Sequence, residues 1–123
     1  MKKIESNLIL TSTNGVFGEK QVPSLYVEIQ RLRGRLERLY SRQFTFQEAV
    51  RSWLEICYKE RMEAANSRQL VKALPGKTTA ERYLLISTLM DYEGIPSPQS
   101  AVEAVLERTG RRMRAKEKAR TIA

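Results

Sequence analysis

From Leu25 onward, apolar residues return at steps of 4, 3, 4 and 3: Leu25, Ile29, Leu32, Leu36 and Leu39. An α-helix turns through about 100° per residue, so these steps hold the five side chains on one face. A strand would need steps of two. The stripe predicts a helix over residues 24–42. The pattern then recurs. Phe46, Val50, Trp53 and Cys57 repeat at 4, 3 and 4, and predict a helix reaching Ala65. Leu85, Leu89 and Tyr92, with Ile86 and Met90 beside them, mark another. Ala101, Val102, Val105 and Leu106 mark a last one, which Gly110 is placed to end. A chain patterned this way buries its apolar surface by packing helix on helix. The expected fold class is mainly α: a compact bundle of four to five helices.

The punctuation agrees with the periods. Pro23 suits a first helical turn, where its missing N–H costs nothing. Thr45-Phe46-Gln47-Glu48 and Thr78-Thr79-Ala80-Glu81 both fit a capping box, in which the threonine and glutamate satisfy each other's free backbone donors. Pro75-Gly76 breaks the chain, and Arg68–Leu74 reads as a short separate turn. Ser97-Pro98 reads as a cap followed by proline at the first helical position.

The first 22 residues read differently. Asn14-Gly15 is a two-residue turn signal between Leu8-Ile9-Leu10-Thr11 and Val16-Phe17, and predicts a small β-hairpin. Three segments are therefore expected: an N-terminal extension or hairpin at 1–22, a helical domain at 23–110, and a basic tail at 111–123. A chain of 123 residues suits a single domain.

Charge is the strongest functional pattern. Residues 31–42 carry five arginines against Glu37 alone, and residues 108–120 carry seven Lys/Arg against Glu117 alone. The remaining ten bases face twelve acids, so the net charge of +8 is concentrated in two segments. Concentrated positive charge attracts polyanions and releases their counterions. Arg31, Arg35, Arg38 and Arg42, at steps of 4, 3 and 4, form a stripe beside the leucines on the first long helix. Aligned guanidinium groups can grip phosphates bidentately. Arg108, Arg111, Arg112, Arg114, Lys116, Lys118 and Arg120 form the denser group, suited to a nucleic-acid-binding arm.

Other chemistries find little material. With no histidine in the chain, the commonest general base and the Ser-His and Cys-His pairs are gone. Cys57 falls within the Trp53 stripe and reads as a small buried apolar residue. One cysteine without histidine leaves no basis for a transition-metal site. Gly76-Lys77-Thr78 imitates the end of a phosphate-binding loop, but Val71 stands where the pattern needs glycine. No catalytic residue, cofactor or metal is expected. No apolar run approaches the ~18 residues of a membrane span, and no apolar run follows Lys2-Lys3 as a secretory leader requires. A lone cysteine fits a reducing, cytoplasmic setting.

The segment from Leu36 to Val50 resembles the two-helix part of ribbon–helix–helix DNA-binding proteins. In that family a strand precedes the first helix and reads the major groove. Here the strand would be Leu25–Gln30, where Leu25 and Ile29 already belong to the helical stripe. The resemblance therefore stops at the two helices. The expected function is nucleic-acid binding, duplex DNA before RNA, by a small regulatory or accessory protein. The alternative is a non-enzymatic adaptor that docks an acidic protein surface, or a homodimer through the near-heptad stripe of the first long helix.

Overall fold

Helix signals at both ends of each apolar stripe set the architecture. The computed structural model describes the backbone of residues 1–122 and side chains as far as Arg120. The last positions of the expected tail, the side chains of residues 121 and 122 and all of Ala123, lie outside the described residues. The described chain is mainly helical and contains no strand.

Contacts divide it into two compact units, Met1–Lys59 and Glu60–Ala123. In the first, α1 (Lys3–Ser12), a 3-10 turn (Glu19–Gln21) and α2 (Val22–Tyr40) precede α3 (Phe46–Trp53) and a π-helical turn (Leu54–Tyr58). Helix α2 packs against α1 and α3, and α1 also meets α3. Ile9, Phe17, Val22, Leu25, Ile29, Leu32, Leu36, Phe44, Ala49, Val50 and Trp53 are buried. Four of the five stripe residues are thus consumed inside the chain, so the near-heptad face is not free to pair with a second copy. The fifth, Leu39, in the last turn of α2, is 73% exposed.

The expected hairpin is replaced by a helix. Residues 3–12, including Leu8-Ile9-Leu10, form α1, and the Glu5 carboxylate accepts the Lys2 backbone N–H at 2.8 Å. The Asn14-Gly15 turn is real, with φ of 54° and 71°. Two left-handed residues close a helix as readily as they join two strands, since a C-terminal cap needs the same positive φ. Here Gly15 N–H reaches back to the Leu10 carbonyl at 3.3 Å. Buried Thr13 donates its hydroxyl to the Ile9 carbonyl at 2.9 Å, which satisfies its one polar atom.

The link from α2 to α3 is clamped through one residue. Arg33 Nε donates to the Phe44 carbonyl at 2.8 Å, and Phe44 N–H donates to Glu37 Oε2 at 2.9 Å. Thr45 and Glu48 then form the expected capping box. Trp53 is fully buried and its indole N–H donates to Glu28 Oε1 at 3.3 Å. The π-helical turn that follows adds residues to the turn and shifts the register. Cys57 consequently leaves the buried stripe and is half-buried.

The second unit holds α4 (Lys59–Ala65) beyond its first residue, then α5 (Arg68–Ala73), α6 (Thr79–Tyr92) and α7 (Pro98–Ile122). Its core is Leu70, Ile86, Leu89, Ala101, Val102 and Val105, where α5 and α6 pack on α7. Tyr92, placed by its period on the apolar face of α6, is exposed instead. Two buried arginines knit this unit. Arg82 donates to the Ala65 carbonyl at 2.7 Å and the Lys77 carbonyl at 2.6 Å. Arg61 grips Asp91 through both Nη atoms, at 3.0 and 2.9 Å, and also reaches Ser87.

Gly110 does not end the last helix, which runs on to Ile122. A glycine inside a helix costs about 1 kcal/mol relative to alanine. The residues beyond it (Arg, Met, Ala, Lys and Glu) are among the best helix formers and offset that cost. Glu107 and Arg111 form an ion pair one turn apart across the glycine.

Candidate functional site

The two basic segments belong to different units, and each is described by itself. On α2, Arg31, Arg35 and Arg38 are exposed and fall within an arc of about 60° at 100° per residue. Arg35 and Arg38 make no ion pair among the described residues. Arg42 does not share their helix face. Helix α2 stops at Tyr40, and Ser41 turns the chain with a φ of 54°. Arg42 instead lies 3.8 Å over the Phe44 ring and pairs with Glu48 at 3.1 Å. The Glu48 carboxyl is held below the usual carboxylate range, first by the Thr45 backbone N–H and then by Arg42. Arg33 and Glu37 are occupied by the Phe44 clamp. Of the five arginines in this segment, three therefore face solvent from one arc.

On α7 the situation is simpler. Every residue from Arg111 to Arg120 is exposed, in one continuous helix. These ten residues carry six bases, Arg111, Arg112, Arg114, Lys116, Lys118 and Arg120, and one acid, Glu117. The helix projects because of its register. Ala101 and Val105 face the core, and the same stripe continues as Arg112, Lys116 and Arg120. An apolar stripe that turns basic cannot be buried. Arg111, the first of the six, is paired with Glu107 one turn before it, and Arg108, the seventh base of this group, is taken out of it. Its two Nη atoms hold the Glu93 carboxylate at 2.7 and 3.2 Å. That contact lowers the Glu93 carboxyl below its ordinary range.

Period and charge alone locate both basic groups. They do not reveal that Glu93, fifteen residues away, neutralises Arg108, or that Ser41 removes Arg42 from the arc.

A groove of about 380 Å³ in the second unit is lined by Leu74, Lys77, Leu84, Leu85 and Thr88, with Glu81 and Arg82 at its polar side. Glu81 is committed to the Thr78 cap and Arg82 to backbone carbonyls. Among the described residues, no cluster of acids and cysteine could hold a metal ion, and no helix is long and apolar enough to cross a membrane. No protein-family model, curated protein or solved structure matches the chain.

Proposed function

We propose that this protein binds nucleic acid, duplex DNA in preference to RNA, as a small regulatory or accessory factor. The observation that carries this reading is the run of α7 from Arg111 to Arg120, six bases and one acid on consecutive helical residues that are all exposed. Exposed bases lose little solvation when they meet phosphates and release condensed counterions when they do. The α2 arc of Arg31, Arg35 and Arg38 supplies a second set of phosphate contacts.

The test is a salt titration of duplex binding by the full chain and by a variant with Arg111, Arg112, Arg114, Lys116, Lys118 and Arg120 replaced by glutamine. Each phosphate contact contributes about 0.9 to the slope of log K against log salt. The variant is expected to bind more weakly at low salt, with a clearly flatter slope. An unchanged slope would remove α7 from the site.

Leu39 favours a second reading, that of an adaptor for an acidic protein. It is a large apolar side chain, 73% exposed, beside the arginine arc, and a phosphate backbone gains nothing from it. A protein partner would bury it as an anchor. Under that reading, Leu39→Ser abolishes partner binding and leaves nucleic-acid affinity unchanged.

A further inference from the structure

The bases of α7 are not spread evenly around the helix. At about 100° per residue, Arg111, Arg114 and Lys118 fall in one arc of about 60°. Arg112, Lys116 and Arg120 fall in another of about 80°. The centres of these two rows lie roughly 170° apart, on opposite flanks of the helix. Midway between them, on one side, stand only Ala115 and Ala119. On the opposite side stand Met113 and the single acid, Glu117. All of these residues are exposed.

An even coat of positive charge would serve any polyanion. Two opposed rows serve a partner that presents phosphates on both sides of the helix at once. A B-form duplex does so along its major groove, which is about 12 Å wide and about 8.5 Å deep and admits one α-helix of about 10–12 Å diameter. The two walls of that groove are the two phosphate backbones. We infer that the Arg111–Arg120 segment of α7 lies in the major groove of B-form DNA. The two basic rows contact the two strands, the Ala115/Ala119 line faces the base-pair edges, and Glu117 with Met113 faces solvent. The inference rests on the proposed nucleic-acid function and specifies its substrate.

The small side chains midway let the helix approach the groove floor, and the acid is at the position farthest from phosphate. The ten residues extend about 15 Å, or four to five base pairs at 3.4 Å each. Between Arg111 and Arg120 no hydrogen-bonding side chain lies on the inward line. Alanine methyls can touch thymine methyls but cannot tell most base pairs apart, so sequence preference is weak. An A-form RNA duplex has a deep, narrow major groove that does not admit the helix.

The test uses the full chain with a 20-base-pair DNA duplex, the RNA duplex of matching sequence and the single DNA strand. The expected result is DNA duplex binding about tenfold tighter than RNA duplex binding, with guanine N7 in the major groove protected from methylation and adenine N3 in the minor groove unprotected. The double variant Ala115→Leu/Ala119→Leu keeps every charge and a strong helix former at both positions. It is expected to lose about tenfold in DNA duplex affinity while single-strand affinity and helix content stay unchanged. Glu117→Gln is expected to leave duplex binding within about twofold, since its carboxylate points away from both strands. Equal affinity for DNA and RNA duplexes, with N7 unprotected and the leucine variant unaffected, overturns the groove placement and leaves the phosphate-binding function standing. Absence of binding to all three probes in about 50 mM salt overturns both.

Discussion

Arg108 holds Glu93 through both of its Nη atoms, one turn before α7 becomes exposed on every side. The pair fixes where the basic surface begins. Arg108 lies one turn before Arg111 and Arg112, the first bases of the two rows. Free, it would extend the basic surface by one turn; paired, it does not.

Withdrawing the partner should therefore extend the site. Glu93→Gln is expected to tighten duplex binding and steepen the salt slope by about 0.9, the value of one added phosphate contact. The double variant Glu93→Gln/Arg108→Gln separates this from the simple loss of a negative charge. It should return the slope to the wild-type value. If both variants show the same slope, Arg108 does not join the phosphate contacts when released.

The arc on α2 is expected to act without base specificity. Arg35→Ala and Arg38→Ala should weaken binding by similar factors across unrelated duplex sequences, because phosphate contacts carry no base code. Lysine at either position keeps the charge and loses the bidentate fork, and is expected to give an intermediate loss. Both side chains are exposed, so thermal stability should move by less than about 0.5 kcal/mol. Binding unchanged in the double alanine variant would assign all of the nucleic-acid contact to α7.

Two helix caps, together with the Glu93–Arg108 pair, are expected to contribute to the acid side of stability. Glu81 accepts the Thr78 backbone N–H, and Glu48 accepts that of Thr45 with Arg42 adding to it. Both carboxyls are thereby held below the usual range. A carboxyl that binds its proton less readily when folded contributes fully above its unfolded pKa of about 4.3. That contribution is lost as pH falls through the lowered folded value. Urea midpoints are expected to fall from about pH 4.5 downward. Glu48→Gln/Glu81→Gln, in which an amide oxygen still accepts the N–H without charge, should show a shallower acid limb. An identical limb in that variant would show that other carboxyls carry the acid sensitivity.

The helices were legible because their signals are local and redundant. Leu25, Ile29, Leu32 and Leu36 repeat on one face, and Thr45 and Thr78 cap with Glu48 and Glu81 as their spacing requires. What escaped depended on competition between signals. Asn14-Gly15 supplies the positive φ that either a hairpin or a helix end can use, and Glu5 at the first turn of α1 decided for the helix. Gly110 carried a stop signal that ten good helix formers outweighed. The π-helical turn at Leu54–Tyr58 moved Cys57 off a stripe that a regular helix would have kept. At the candidate site, composition located the bases. Contacts distant in sequence, Glu93 with Arg108 and Phe44 with Arg33, decided which of them remain available.

Trp53 is the position where the first unit has most to lose. It is fully buried, its ring centroid lies 4.8 Å from that of Tyr58, and its N–H is spent on Glu28. Truncating a buried tryptophan to alanine costs about 3–5 kcal/mol. Small domains hold only about 5–15 kcal/mol in all. Trp53→Ala is thus expected to unfold the first unit or lower its midpoint sharply. Trp53→Phe keeps most of the apolar volume and withdraws the donor from a buried carboxylate, a smaller loss of about 1–3 kcal/mol. The pair of variants separates packing from hydrogen bonding, because only the first removes the bulk of the ring. Fluorescence gives an independent reading, since Trp53 is the sole tryptophan. Its emission is expected to be blue-shifted in the native protein and to move to the red on unfolding. A water-like maximum under native conditions would mean that the ring is solvated and that α2 and α3 do not pack around it.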